Sequence, residues 1–287
     1  MVLFFKLNYA ISLGYLGKLN EQDFEKQAIH ILKENGTILD DTIVSRLGSE
    51  SFLLVPNASM ISEVLNHLNS NRVELDVNIF DRSMDYSCIA LQGPNSPSVL
   101  KSILNLEIQP FSVEIVQNII VSGTGYTGEV GYEMFIPLNL SHKIWSGALD
   151  AGSLPCGLAS RDTLRLEKGM LLSGQDFDGS QTTLNTGHEW VIDWNHDFIG
   201  KKALLEQKTN SYPVMSGILL EDKGVPRHYC EVYYDGRLVS KLTSGSLSPS
   251  LGKGIALAYL IQEPGSVVSV LVRNKHLKGK VVKPPFL

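Results

Sequence analysis

Short strand-like apolar runs and stretches of helical spacing interleave irregularly along the first part of this chain, an α+β pattern, before short strands take over in the last part. In the first half, Phe52-Leu53-Leu54-Val55 and Cys88-Ile89-Ala90-Leu91 read as strands, the second closed by Gly93-Pro94. Ile61, Val64, Leu65 and Leu68 mark a helix over residues 59–68, and Ser96-Pro97 is a favourable start for another. Residues 140–151 place Ile144, Trp145, Ala148 and Leu149 on one helical face, with Gly152 to end it. From about Val214 the pattern becomes short strands between turns: 216–220, 230–234, 237–243, 254–260 and 267–273, with Asp235-Gly236 as a hairpin turn. A boundary is therefore expected near residues 208–211, dividing an α+β region (1–208) from a small all-β barrel or sandwich (209–287).

Between these regions the segment Gly123-Thr124-Gly125-Tyr126-Thr127-Gly128 matches G-x-G-x-x-G. It follows an apolar run (113–121), and Asp150 lies about twenty positions on, as in a dinucleotide site. That fingerprint needs the glycines to open a helix whose N-terminus meets the pyrophosphate. Here Val130, Tyr132, Met134 and Ile136 alternate instead, which is strand periodicity. The glycines are expected in a β-hairpin turn, which sends attention to the carboxylates Glu129 and Glu133 on the second strand.

At 287 residues the chain can bury a large core, and its net charge of −5, with scattered Lys and Arg, offers no basic stripe for nucleic acid or an anionic membrane. Cys88, Cys156 and Cys230 are odd in number and far apart, which argues against a disulfide framework and points to a reducing cytoplasm. None lies in a C-x-x-C, and the seven histidines lack H-x-x-x-H spacing, so no metal site is signalled. The apolar start, residues 1–13, is interrupted by Lys6 and Asn8 and reads as an amphipathic or buried segment rather than a signal peptide.

Three side chains stand out. Asp40 and Asp41 lie in an apolar run (37–44), where a strand would send them to opposite faces and put Asp41 beside Leu39 and Ile43. A carboxylate on an apolar face is costly unless partnered, so Asp41 is a candidate functional group, against the alternative that the Asp pair closes a turn or bulge after Gly36. Glu133 shares a strand face with Gly131 and Phe135, unless it is a solvated edge residue. Arg161 stands near the start of a helical segment (160–168) ended by Gly169, where a cation opposes the helix dipole. It is held there either for a ligand or by a local ion pair with Asp162 or Glu167. The loop 243–254 lacks the P-loop order and is expected to be structural.

Five segments, in order, resemble the aminomethyltransferase family, the T-proteins of the glycine cleavage system: 36–44, Leu54-Val55-Pro56-Asn57-Ala58, Leu91-Gln92-Gly93-Pro94, Gly125-Tyr126-Thr127-Gly128-Glu129-Val130-Gly131-Tyr132-Glu133, and 156–167 with Arg161-Asp162-Thr163. The tail adds Gly224-Val225-Pro226-Arg227-His228 and the ending Lys280 to Phe286, so the match spans the chain from about Leu3. The resemblance implies a tetrahydrofolate-binding α+β region followed by a β-barrel domain, and transfer of an aminomethyl carbon from lipoylated H-protein to tetrahydrofolate, giving 5,10-methylenetetrahydrofolate and ammonia. It implies that Asp41 is the catalytic acid beside the reacting nitrogens and that Asn57, Glu133 and Arg161 hold the cofactor.

The chain departs from the family pattern in places. Members carry further strands and a Ser-His-Met-Gly-like segment ahead of the region where this chain begins, so an N-terminal segment is expected to be missing. They read Thr-Pro-x-Glu where this chain has Thr183-Leu184-Asn185-Thr186, and they continue past the Pro-Phe. A folate-binding relative without enzymatic activity is the alternative. Related iron–sulfur maintenance proteins carry a cysteine in the stretch that here reads Ser122 to Glu129, and folate-dependent demethylases add a flavin domain for which there is no room.

Overall fold

The computed structural model describes residues 3–7, 26–72 and 76–287, in two compact units. Of the apolar start, residues 3–7 form a strand, and the remainder lies outside the described residues. Among the described residues the first unit holds nine strands, β1 (Leu3–Leu7), β2 (Lys26–Leu32), β3 (Ile38–Gly48), β4 (Ser51–Val55), β5 (Val77–Asp81), β6 (Tyr86–Gln92), β7 (Val113–Val116), β8 (Ile119–Ser122) and β9 (Gly131–Pro137). It also holds α1 (Ile61–Asn71), α2 (Ser96–Leu104) and α3 (Leu138–Asp150). β2 and β3 each run a short way into the second unit.

Two sheets result, in the orders β2-β3-β4-β1-β5 and β6-β9-β8-β7, the second antiparallel throughout. Each buries one face under helices. Val44, Leu54 and Val77 pack with Val64 of α1, while Tyr132, Met134 and Ile136 of β9 pack with Val99, Leu100 and Leu104 of α2 and Ile144 and Ala148 of α3. Their other faces meet through Leu53 of β4, Ile120 of β8 and Phe135 of β9. Burying each such side chain stabilises the fold by about 1.5–3 kcal/mol.

Several local departures from the sequence pattern have simple causes. The apolar run 113–121 is two strands, because Gln117 and Asn118 take φ of 51° and 64° and turn the chain back on itself without a glycine. Trp145 remains 44 % exposed because the core-facing stripe of α3 follows Ile144 and Ala148. Val130 and Glu129 lie in the loop before β9 and face solvent.

The second unit contains α4 (Leu158–Glu167), α5 (Lys201–Lys208) and β10 (Val214–Leu220), β11 (Glu231–Tyr234), β12 (Arg237–Ser248), β13 (Lys253–Leu260), β14 (Val267–Val272) and β15 (Lys275–Val282). These six strands close into a barrel, order β10-β13-β12-β11-β14-β15, which leaves no free sheet edge. Its interior is filled by Ile218, Leu220, Val232, Leu242, Val270 and Val281, among others. The segment 243–254, expected to be a loop, is mostly strand: β12 runs on to Ser248 and only residues 249–252 turn. β15 is a sixth strand that the apolar pattern does not announce.

α4 is tied to this barrel by a buried polar network. Arg165, 1 % exposed, donates to Asp176 Oδ2 at 2.6 Å, Asp162 Oδ1 at 2.8 Å, Ser244 Oγ at 2.7 Å and Met170 O at 3.0 Å. Asp176 also accepts from Leu172 N and Thr243 Oγ1. Glu167 accepts from Ser248 and from Ser250 N and Oγ. Among the described residues no helix is long and apolar enough to cross a membrane.

Candidate functional site

The Ile43↔Val55 and Ser45↔Leu53 pairings of β3 and β4, continued by two residues, set Asp41 opposite Asn57. Leu53 and Val55 belong to the cluster joining the two sheets, so Asp41 and Asn57 prolong a row on the inward face of the first sheet. Glu133 stands two residues before Phe135 on β9 and prolongs the facing row of the second sheet. Two acids are thereby carried on inward faces by rigid strands.

The alternation of β3 breaks at the acid pair, since Leu39 packs on the helix side together with Val44. Asp40 and Asp41 therefore do not diverge to opposite faces. Both carboxylates converge on one amide: Asn57 Nδ2 donates to Asp40 Oδ1 at 2.8 Å and to Asp41 Oδ1 at 2.6 Å, and lies 3.1 Å from Asp41 O. Asn57 N–H adds a bond to Asp40 Oδ2 at 2.9 Å. This is possible because Asn57 follows Pro56 in extended conformation (φ −62°, ψ 142°), before a single 3₁₀ turn at Ala58–Met60.

Asp40 is fully buried, whereas Asp41 keeps some surface. Burial, followed by the neighbouring Asp40 charge, pushes the Asp41 carboxyl up to about 6, against the opposing pull of the Asn57 hydrogen bond. A carboxyl poised there exchanges a proton near neutral pH and, when ionised, stabilises positive charge developing beside it.

Glu133 Oε2 accepts a 2.5 Å hydrogen bond from Thr124 Oγ1, which lies 3.3 Å from Ser122 Oγ. Thr124 belongs to the loop between β8 and β9, so the glycines 123, 125 and 128 do sit in a hairpin connection, with Gly128 at φ 73°. No helix opens there, which removes the dinucleotide reading. Thr124 is the donor recorded on this carboxylate among the described residues, which leaves acceptor capacity for a paired N–H edge.

Arg161 belongs to the second unit, exposed in the first turn of α4. The local partners expected for it are engaged elsewhere, Asp162 by Arg165 and Glu167 by Ser248 and Ser250. Thr186, at the position where the family resemblance leads one to expect a glutamate, is buried and donates to Thr183 O at 3.0 Å. The structure thus joins Asp41 to Asn57 and places Glu133 on the facing sheet. Asp40, Gln92 and Thr124, which support these groups, carry no periodic signal.

Comparisons with known proteins agree with this architecture. Residues 22–196 match the GCVT N-terminal domain, and residues 214–287 match the glycine cleavage T-protein C-terminal barrel domain. An aminomethyltransferase of Halothermothrix orenii is 35% identical over 271 residues, covering 89% of this chain and 76% of its own length. One from Thermosipho melanesiensis is 36% identical over 266 residues, covering 88% and 73%. The crystal structure of glycine cleavage system aminomethyltransferase T from Bartonella henselae superposes with a TM-score of 0.92 at 26% identity, over 100% of this chain and 83% of that one. With both domain models in sequence order and a closed six-stranded barrel after the two-sheet unit, the chain belongs to the aminomethyltransferase family, the T-proteins of the glycine cleavage system.

Proposed function

We propose that this chain transfers the aminomethyl carbon carried on the lipoyl arm of H-protein to tetrahydrofolate, giving 5,10-methylenetetrahydrofolate and ammonia, in the cytoplasm. Residues 1–208 would form the folate-binding region and 209–287 the barrel domain. The observation that carries this reading is the Asp41–Asn57 pair, whose carboxyl titrates near 6 on a strand face turned toward the sheet bearing Glu133.

Tetrahydrofolate, when bound, supplies the nucleophilic nitrogens that take up the carbon. Glu133 then accepts the 2-amino and N3–H donors of the pterin, a paired edge that one carboxylate matches. Asn57 orients Asp41 by the bond from its Nδ2 to the carboxylate. Ionised Asp41 stabilises the positive charge that develops on nitrogen, and Arg161 supplies a cation for the anionic part of the ligand. Position rather than covalent catalysis provides most of the acceleration.

Calorimetric titration of the intact chain with tetrahydrofolate tests this. Glu133→Ala should weaken binding by roughly 1.5–3 kcal/mol, the value of hydrogen bonds to a charged group. Asp41→Asn should bind but lose turnover with lipoylated H-protein. No binding by the intact chain would sink the reading, and binding by the intact chain without turnover would mark a non-catalytic folate-binding relative.

A further inference from the structure

The Gln92 side chain, at the end of β6, reaches under the 123–131 loop and is engaged at both ends of its amide. Nε2 lies 3.2 Å from both Thr124 O and Tyr132 O, and Oε1 accepts from Thr127 Oγ1 at 3.0 Å. Gly125 and Gly131 flank the amide, and a Cβ on either would be driven into it. Gly93 N–H and Ser96 Oγ, from the turn that opens α2, both donate to Val130 O and fasten the other half of the loop. Gly125 and Gly131 therefore make room for a glutamine, not for a phosphate, while Gly123 lies against the backbone of Gln109 and Phe111.

A half-buried amide with both its ends engaged holds backbone as a sheet ladder does, and breaking it leaves polar groups unpaired. What this fixed backbone carries is Thr124, 8 % exposed, whose hydroxyl is bonded to Glu133 Oε2. The carboxylate can turn about its final bond, and a single donor on one oxygen is enough to select the orientation that offers the other oxygen outward.

We propose that Gln92 and Thr124 are positioning residues for Glu133: Gln92 sets the loop, and the Thr124 hydroxyl sets the direction in which the carboxylate meets its ligand. The ligand side of this inference rests on the reading of Glu133 as the group that holds the pterin edge.

Two readouts on the full chain separate the inference from that reading. The first is the carbon-13 resonance of the Glu133 carboxylate, followed by NMR at fixed pH without ligand. That resonance reports the hydrogen bonding of the carboxylate, so Thr124→Val should move it and Thr124→Ser should not. The second is the Kd for tetrahydrofolate in a double-mutant cycle. Thr124→Val should weaken binding about tenfold, with Thr124→Ser restoring it, and should add nothing in a Glu133→Gln background. Gln92→Leu should weaken binding by a comparable factor and combine less than additively with Thr124→Val.

An unmoved resonance in Thr124→Val, or equal weakening with and without Glu133, overturns the role of Thr124. Full additivity of the Gln92 and Thr124 changes overturns that of Gln92. If Glu133→Gln alone leaves affinity unchanged, the functional reading of Glu133 fails, and the resonance still decides whether Thr124 orients it.

Discussion

Asp176 and Asp41 are both withdrawn from bulk water, and the chain treats them in opposite ways. Asp176 accepts from a buried guanidinium, a backbone N–H and a threonine hydroxyl, so its charge is compensated from several directions. Asp41 receives one side-chain amide that it shares with a second carboxylate, and its proton affinity rises accordingly. Among the described residues Glu167 and Glu133 repeat the contrast, three donors against one. The buried acids that join a helix to a barrel are saturated with partners, whereas the two acids proposed above to serve the ligand retain a deficit that a ligand can fill.

The contrast makes a prediction at each end. Asp176→Ala should have the largest effect, destabilising the fold by about 3–5 kcal/mol in urea denaturation because Arg165 loses its fully buried counter-charge. The tetrahydrofolate affinity of the folded fraction should not change. A loss under about 1 kcal/mol would show that Asp162 alone satisfies the guanidinium, and the division between the two kinds of acid would weaken.

Asp41→Asn should act in the reverse sense. The native carboxyl holds its proton to about 6 against an unperturbed 3.8, so the folded state binds more protons across that interval. Through this group, stability is greatest below about 4, falls as pH climbs through the interval, and is lower by roughly 3 kcal/mol above it. The asparagine variant should lack this slope and be more stable than wild type at pH 7, while turnover is lost. Parallel denaturation curves for the two proteins at pH 4 and pH 7 provide the check, and an unchanged pH slope would contradict the assignment. The smallest change, Ser250→Ala, removes one hydroxyl from Glu167 and should cost about 0.5–1.5 kcal/mol in melting experiments, with no effect on ligand affinity.

Much of the architecture is legible along the chain, because short apolar or alternating runs bounded by turn residues mark strands directly. β4, β6, β9 and most of the barrel strands are read this way, while helical spacing marks α1 and Ser96-Pro97 the start of α2. β15 escapes because outward lysines at 278 and 280 and the inward Gly279 dilute the apolar signal, and because its hairpin turns on Arg273 and Asn274 at φ 48° and 63° rather than on glycine. The candidate acids come from residue type and family resemblance. Their supports do not, since Gln92 lies 32 and 40 residues from the carbonyls it binds and such pairing has no period. The break in alternation at Asp40 is equally silent: only the hydrogen bonds of Asn57 show two adjacent acids turning to one asparagine.

The glutamine lodged between Gly125 and Gly131 also constrains how this stretch can drift over generations. A side chain on either glycine would displace the Gln92 amide, and shortening Gln92 would give up three bonds to the loop. A change at one of the three positions therefore costs least when the others change with it.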